Sequence, residues 1–366
     1  MIAFLAQHKK LHHWLLADAL LLAAFFLTRG QRAWMNALAT HVTTPLRRTV
    51  GSLCYRTDIC VAEVLCVLLV AFAVCYLVWS IFAIVRAKRR RWGRAYSAVL
   101  GALCVGLSIY VGFCFLWGVN YCTDSFQDQS GITAEDVKLD DLTAVTQYFA
   151  DRLTETADAV PRDGDGLFAV SRDDIRGESV DIYDQLAEQF PFLAFDDQPP
   201  KAVHFSRIMS LLDFTGIYCP YTGESCVNVD SPACLLPATI AHELAHQRSI
   251  SSEQECNFLS ILACTTCGKP DYVYSGWLLG YIYLGNALYS ADRTAWKTVY
   301  ASLPETVRAD LTDNNTYWAQ FQDSTTKKVS NKVYDSFLKG YGEEQGLKSY
   351  GTVVDMLVAY YKDTAA

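Results

Sequence analysis

The sequence predicts a mainly α protein: three transmembrane helices, then an α+β domain with a small sheet. Two observations carry this. Long apolar runs are confined to the front of the chain. The charge is also split, with thirteen Lys/Arg against three Asp/Glu in residues 1–122 and eighteen against thirty-six in residues 123–366. A basic front with spans and an acidic rear without them read as a membrane domain (1–122) and a water-soluble domain (123–366). The acidic domain would repel phosphates, which argues against a nucleic-acid partner.

The expected spans are about 12–28, 61–85 and 95–119. The last two are long enough to cross roughly 30 Å of hydrocarbon. Trp92, Trp117 and Tyr121 fall where interfacial aromatics belong. Asp18 and Glu63 read as residues near span ends, tolerated at the interface. Between the second and third spans, "RAKRRRWGR" (86–94) holds six Lys/Arg. The positive-inside rule places this short loop in the cytoplasm. The amino terminus is then cytoplasmic too, and the acidic domain extracytoplasmic, in a multi-pass protein of the cell membrane. The first loop disagrees, with Arg29, Arg32, Arg47, Arg48 and Arg56, but the denser and shorter cluster decides. No convincing small-residue cleavage site follows the first span.

Four of the thirteen cysteines (Cys66, Cys75, Cys104, Cys114) lie in spans as small apolar fillers. Cys264 and Cys267 have redox-pair spacing, but no thioredoxin-like pattern surrounds them. A disulfide or two plain helix-face residues is the expectation.

In the second domain, 123–138 reads as a linker and 140–157 as a helix with Leu142, Val145, Phe149 and Leu153 on one stripe. Residues 161–176 form a polar loop, and Asp163 and Asp165 resemble a calcium loop only loosely, with no Glu in register. Residues 178–190 are helical. "KAVHFSRIM" (201–209) and "ESCVNVD" (224–230) alternate like strands about a turn. Helices follow at 235–248, 252–266, 272–290, 293–301, 304–312, 325–339 and 347–361.

The chemistry lies in "HELAHQRSISSEQECNFL" (242–259), which holds two of the seven histidines. Residues four apart share a helix face, so His242 and His246 can bind one metal. Glu243 lies beside that face, where it can reach a water on the metal. Zinc (Zn2+) would acidify that water, and Glu243 would act as general base. Ile240 and Leu244 form the buried stripe behind the histidines, and strand 224–230 would offer an edge for a peptide backbone. A catalytic zinc needs a third protein ligand. Ser252 stands ten residues after His242, which excludes a third histidine at that spacing. Glu253 and Glu255 remain. Ser252 and Glu255 fit a capping box, which gives Glu255 a structural task and favours Glu253 as the ligand.

This stretch resembles the gluzincin pattern HExxH…ExxA(D/N), in which the residue at the Asn257 position orients a metal histidine from behind. Over most of its length, the chain resembles a bacterial family of three-span membrane proteins of unknown function with a zincin motif. The matching pieces are "LWGVNY" (116–121), "GIYCPYTGESCVNVD" (216–230), "LLPATIAHELAHQ" (235–247), "YSGWLLGYIYLGNALY" (274–289) and "SYGTVVDMLVAYY" (349–361). The resemblance implies a zincin-like second domain, His242, His246 and Glu253 as zinc ligands, Glu243 as catalytic base, and a membrane-anchored metallopeptidase acting on peptides or proteins. Ser249 replaces the usual Gly, and Cys256 the usual Ala. Gluzincins often stabilise the oxyanion with a Tyr or His; Tyr274, Tyr281 and Tyr283 are the candidates here. His204 reads as a satisfied polar residue, and Arg248 as a helix C-terminal cation that could meet a substrate carboxylate. The alternative function is a non-catalytic, zinc-stabilised membrane scaffold or sensor.

Overall fold

The computed structural model describes residues 7–134, 137–322, 324–341 and 350–365. It divides into two units: Met1–Thr123 with Pro220–Gly223, and Asp124–Cys219 with Glu224–Ala366.

The first unit holds three helices apolar and long enough to cross a membrane: α1 (Lys9–Thr28), α4 (Val61–Arg86) and α5 (Arg91–Leu116), the last entered through a 3-10 turn at Lys88–Arg90. Between α1 and α4 the chain is helical as well, with α2 (Arg32–Leu38) and α3 (Thr44–Cys54). Arg47 is buried there, its guanidinium 5.1 Å from the Trp117 ring centroid. A polar ladder joins α1 to α5. His12 Nε2 meets the Tyr96 hydroxyl at 2.7 Å, His8 Nδ1 meets Ser97 Oγ at 2.9 Å, and Ser108 Oγ donates to Asp18 at 2.9 Å. Such bonds hold helices together where lipid offers no partner. Asp18 therefore departs from the expectation of an interfacial residue. It lies midway along α1 and is buried, because α1 begins at Lys9 and Ser108 satisfies the carboxylate.

The second unit is helical around a three-stranded sheet. Its elements are α6 (Phe126–Ser130), α7 (Leu139–Thr156), α8 (Arg172–Gly177), α9 (Asp184–Gln189), β1 (Lys201–Ala202), α10 (Ser206–Leu211), β2 (Gly216–Cys219), β3 (Glu224–Val227), α11 (Leu236–Gln247), α12 (Glu253–Thr266), α13 (Pro270–Ala291), α14 (Arg293–Ser302), α15 (Glu305–Ala319), α16 (Thr325–Gly340) and α17 (Tyr350–Ala365).

The sheet order is β1-β3-β2, with β1 parallel and β2 antiparallel to β3. Two expectations are corrected. Only Lys201 and Ala202 of 201–209 are strand; the apolar residues after them pack as helix α10. The antiparallel partner of β3 is instead 216–219. This makes β3 the central strand, not the edge expected of it, with β1 and β2 as the two edge strands. The expected linker 123–138 also contains a helix, α6. In the 161–176 loop, Asp163 Oδ1 accepts the backbone N–H groups of Asp165 and Leu167, so it shapes a turn.

The core gathers the apolar stripes of α7, α11, α12, α13 and α17. Helix α13 crosses α7 closely at Gly280, where any Cβ would overlap the Phe149 ring. At the centre, α11 buries Ile240, Ala241, Leu244 and Ala245 completely. That burial turns the histidine face of α11 toward α12 and β2.

Candidate metal centre

Helix α11 ends in a reversal that shapes the site. Ser249 adopts φ +72°, its N–H reaches the His246 carbonyl at 2.9 Å, and the Ile250 N–H reaches Ala245 at 3.3 Å. This is a Schellman end, which favours glycine at the left-handed position. Ser249 thus holds the conformation a glycine would. The turn aims the Ile250 carbonyl back at the helix, where it accepts from His246 Nδ1 at 2.8 Å.

Helix α12 supplies the facing groups. Glu253 Oε2 lies 3.1 Å from His242 Nε2, and Oε1 lies 3.7 Å from His246 Nε2. One turn on, Asn257 Oδ1 stands 3.0 Å from His242 Nδ1. Each imidazole is therefore held at Nδ1 and presents Nε2 to one carboxylate. The two rings are nearly perpendicular, with centroids 4.8 Å apart.

Glu255 does something else. Its two oxygens accept the backbone N–H groups of Phe126 at 2.9 Å and Gln127 at 3.0 Å, capping α6. Ser252 makes no side-chain cap on α12. The capping box expected between Ser252 and Glu255 is thus corrected: the Glu255 carboxylate satisfies the N-terminus of another helix.

Glu243 is buried against β2. A Cβ at Gly216 would overlap its carboxylate, so glycine there makes the room. Glu243 Oε2 is buried with no hydrogen-bond partner among the described residues. Burial pushes this carboxyl up to about 8, with Glu253 adding and His242 opposing. Burial also works against ionisation of Glu253, but His246, His242 and the Tyr334 hydroxyl together bring it down to about 2. For His242, burial opposes protonation, yet the Glu253 carboxylate raises its pKa above the ordinary value. His242 Nε2 and the Glu253 carboxylate thus favour each other's charged forms, an arrangement in which a cation could bridge them.

His242, His246 and Cys256 also form a group able to hold a metal, with their ligand atoms all within 4.8 Å of one another. Cys256 Sγ lies 3.3 Å from His246 Nδ1, the nitrogen already donating to Ile250. It therefore stands on the ring edge away from Glu253.

Arg248 is the helix C-terminal cation expected, its guanidinium donating to the Leu244 carbonyl at 3.0 Å. It also gives a two-pronged ion pair to Asp197 at 2.6 and 2.7 Å, donates to the Leu193 carbonyl and stacks 3.8 Å over Tyr183, so it is committed inside the fold. His204 lies outside the strands, its ring edge-on to Phe205. Tyr274 is tied to Asp310 in the core. Among the described residues, the tyrosine hydroxyl that reaches Glu253 is that of Tyr334 on α16, 2.6 Å from Oε1. Nothing in the sequence around Tyr334 distinguishes it from the other twenty tyrosines.

A metal fits this arrangement. Two imidazole nitrogens and a carboxylate converge, both imidazoles are oriented from behind, and a buried carboxylate oxygen beside them lacks a partner.

No curated protein and no solved structure matches the chain. A protein family of unknown function, DUF3810, matches residues 40–358, from the segment before α3 into α17, and the chain belongs to that family.

Proposed function

We propose that the protein is a membrane-anchored, zinc-dependent metallopeptidase with a zincin-like second domain. One observation carries the reading: His242 Nε2, His246 Nε2 and the Glu253 carboxylate converge, with Asn257 and Ile250 behind the rings and the partnerless oxygen of Glu243 alongside. His242, His246 and Glu253 would hold the ion, and Asn257 would orient His242. When bound, zinc polarises the scissile carbonyl and acidifies the attacking water. Glu243 takes the proton of that water and passes it to the leaving amine. Tyr334, whose hydroxyl donates to Glu253 Oε1 in the resting protein, would turn that proton to the oxyanion. Edge strand β2, which runs past Glu243 at Gly216, would offer its backbone to an extended peptide. The loop 86–94 is read as cytoplasmic and the second domain as extracytoplasmic.

The test is metal analysis and peptide hydrolysis on the purified full-length chain. Wild type should carry one zinc and cleave a peptide library. Glu243→Gln should keep the zinc and lose cleavage. A wild-type protein without stoichiometric metal sinks the proposal.

The His242–His246–Cys256 group supports a second reading, a structural metal in a non-catalytic scaffold or sensor. Thiolate ligands favour closed, structural sites. In that case Cys256→Ser would release the metal, and Glu253→Gln would not.

A further inference from the structure

Helix α16 is opposite in charge to its domain. Residues 123–366 carry twice as many acidic as basic side chains. Yet α16 holds Lys327, Lys328, Lys332 and Lys339 against one acid, Asp335. Its faces are sorted at helical spacing. Ser330, Tyr334 and Leu338 form the packed face: Ser330 Oγ donates to the Leu212 carbonyl, Tyr334 reaches Glu253, and Leu338 is buried. On the next face Val329 and Val333 are 58% and 65% exposed. Lys328 and Lys332 flank these valines and are exposed as well, while Lys339 pairs with Asp335 at 2.8 Å.

The valines also form one wall of an open apolar groove of about 680 Å³, whose other side includes Leu212 and Phe214. The short helix α10 leads directly into that wall. It exposes Phe205 at its start, then Ile208 and Leu211, at three-residue spacing. Scattered surface apolar residues are ordinary, but two neighbouring elements each presenting an apolar row mark a contact surface.

We propose that α16 and α10 form a surface that seats in the headgroup region of an anionic phospholipid bilayer. Exposed valines edged by lysines are the pattern of a helix lying in the membrane interface. The lysines complement anionic headgroups, whereas the domain's net acidity opposes a bilayer contact elsewhere, which favours this patch as the face toward lipid. The three spans of the same chain keep the domain near a bilayer, so even a weak surface is occupied. A peptide pocket would enclose its apolar walls, whereas both valines stand more than half exposed beside charged ammonium groups. The packed face of α16 carries Tyr334, so a helix seated on lipid also fixes the hydroxyl at the metal centre. The inference stands apart from the peptidase reading, because nothing in it requires turnover.

The test uses the full-length chain in nanodiscs, with a photoreactive benzophenone amino acid replacing Val333. Irradiation should yield lipid adducts by mass spectrometry. Discs containing phosphatidylglycerol should give roughly fivefold more than pure phosphatidylcholine discs, the factor that one lysine–headgroup contact supplies. Lys328→Glu with Lys332→Glu should return the yield to the phosphatidylcholine level. Hydrogen exchange on the unmodified chain gives an independent reading: the α16 amides should exchange more slowly in the anionic discs. Absence of lipid adducts, a yield indifferent to lipid charge, or adducts to a bound peptide instead would overturn the proposal.

Discussion

The hydroxyl of Tyr334 lies 2.6 Å from Oε1 of Glu253, which joins a C-terminal helix to the carboxylate facing both histidines. On the proposed mechanism this hydroxyl meets charge that develops only in the transition state. Tyr334→Phe should therefore keep the metal and the KM and lower kcat by roughly 10²-fold, the usual effect of losing one oxyanion donor. Steady-state kinetics beside a zinc assay separates the two. A loss of metal without a kcat defect in the remaining holoenzyme would show that the hydroxyl only supports Glu253.

The two glutamates of α12 should separate by assay. Glu253→Ala removes a proposed ligand and should abolish stoichiometric zinc. Glu255→Ala leaves two N–H groups of α6 uncapped, at about 1–3 kcal/mol of stability. It should lower the melting temperature and leave zinc content unchanged. The reverse pattern would make Glu255 the ligand.

Glu243 makes the metal-free protein sensitive to alkali. Its carboxyl rises from an ordinary 4.5 to about 8 on folding, through burial. Between those values the folded chain holds a proton that the unfolded chain releases. Stability is thus fully present below pH 4.5 and falls as pH rises through 8. In chelator the melting temperature should drop between pH 5 and pH 8.5, and Glu243→Gln should flatten that slope. An equal slope in the variant would mean that another group titrates.

Ser249 carries a left-handed backbone without being glycine. Ser249→Gly should stabilise the protein by about 1 kcal/mol and leave zinc affinity intact, because the turn geometry is kept. Ser249→Val should weaken both, since the turn also aims the Ile250 carbonyl at His246. Denaturant melts and zinc titration report the two effects separately.

The Cys264 and Cys267 thiols should behave as packing groups. Burial drives Cys264 well above the ordinary thiol range and Cys267 to about 11. At neutral pH only about one Cys267 in 10³ or fewer is then thiolate. Neither cysteine should react with iodoacetamide at pH 7.5 until the protein is unfolded. Rapid labelling of the folded chain, or a 264–267 disulfide in a non-reducing peptide map, would contradict this.

What could be read in the sequence was whatever repeats or whatever chemistry demands. The three spans and the α11 and α12 helices announce themselves through apolar length and helical period. The four-residue spacing of His242 and His246 places both on one face, and Glu253 and Asn257 share another for the same reason. Long-range pairings left no such trace. The antiparallel partner of β3 is a four-residue strand too short to alternate visibly. Glu255 matched a local cap and was claimed by Phe126, far away in the chain. Tyr334 reaches Glu253 across 81 residues, a separation no local pattern encodes.

The bare backbone at Gly216 has a practical corollary. A single methyl group there would overlap the Glu243 carboxylate, so on the proposed mechanism Gly216→Ala should stop turnover while the proposed ligands stay in place. Such a variant would let natural substrates be trapped on an intact binding edge, turning a silent protein into a tool for finding what it recognises.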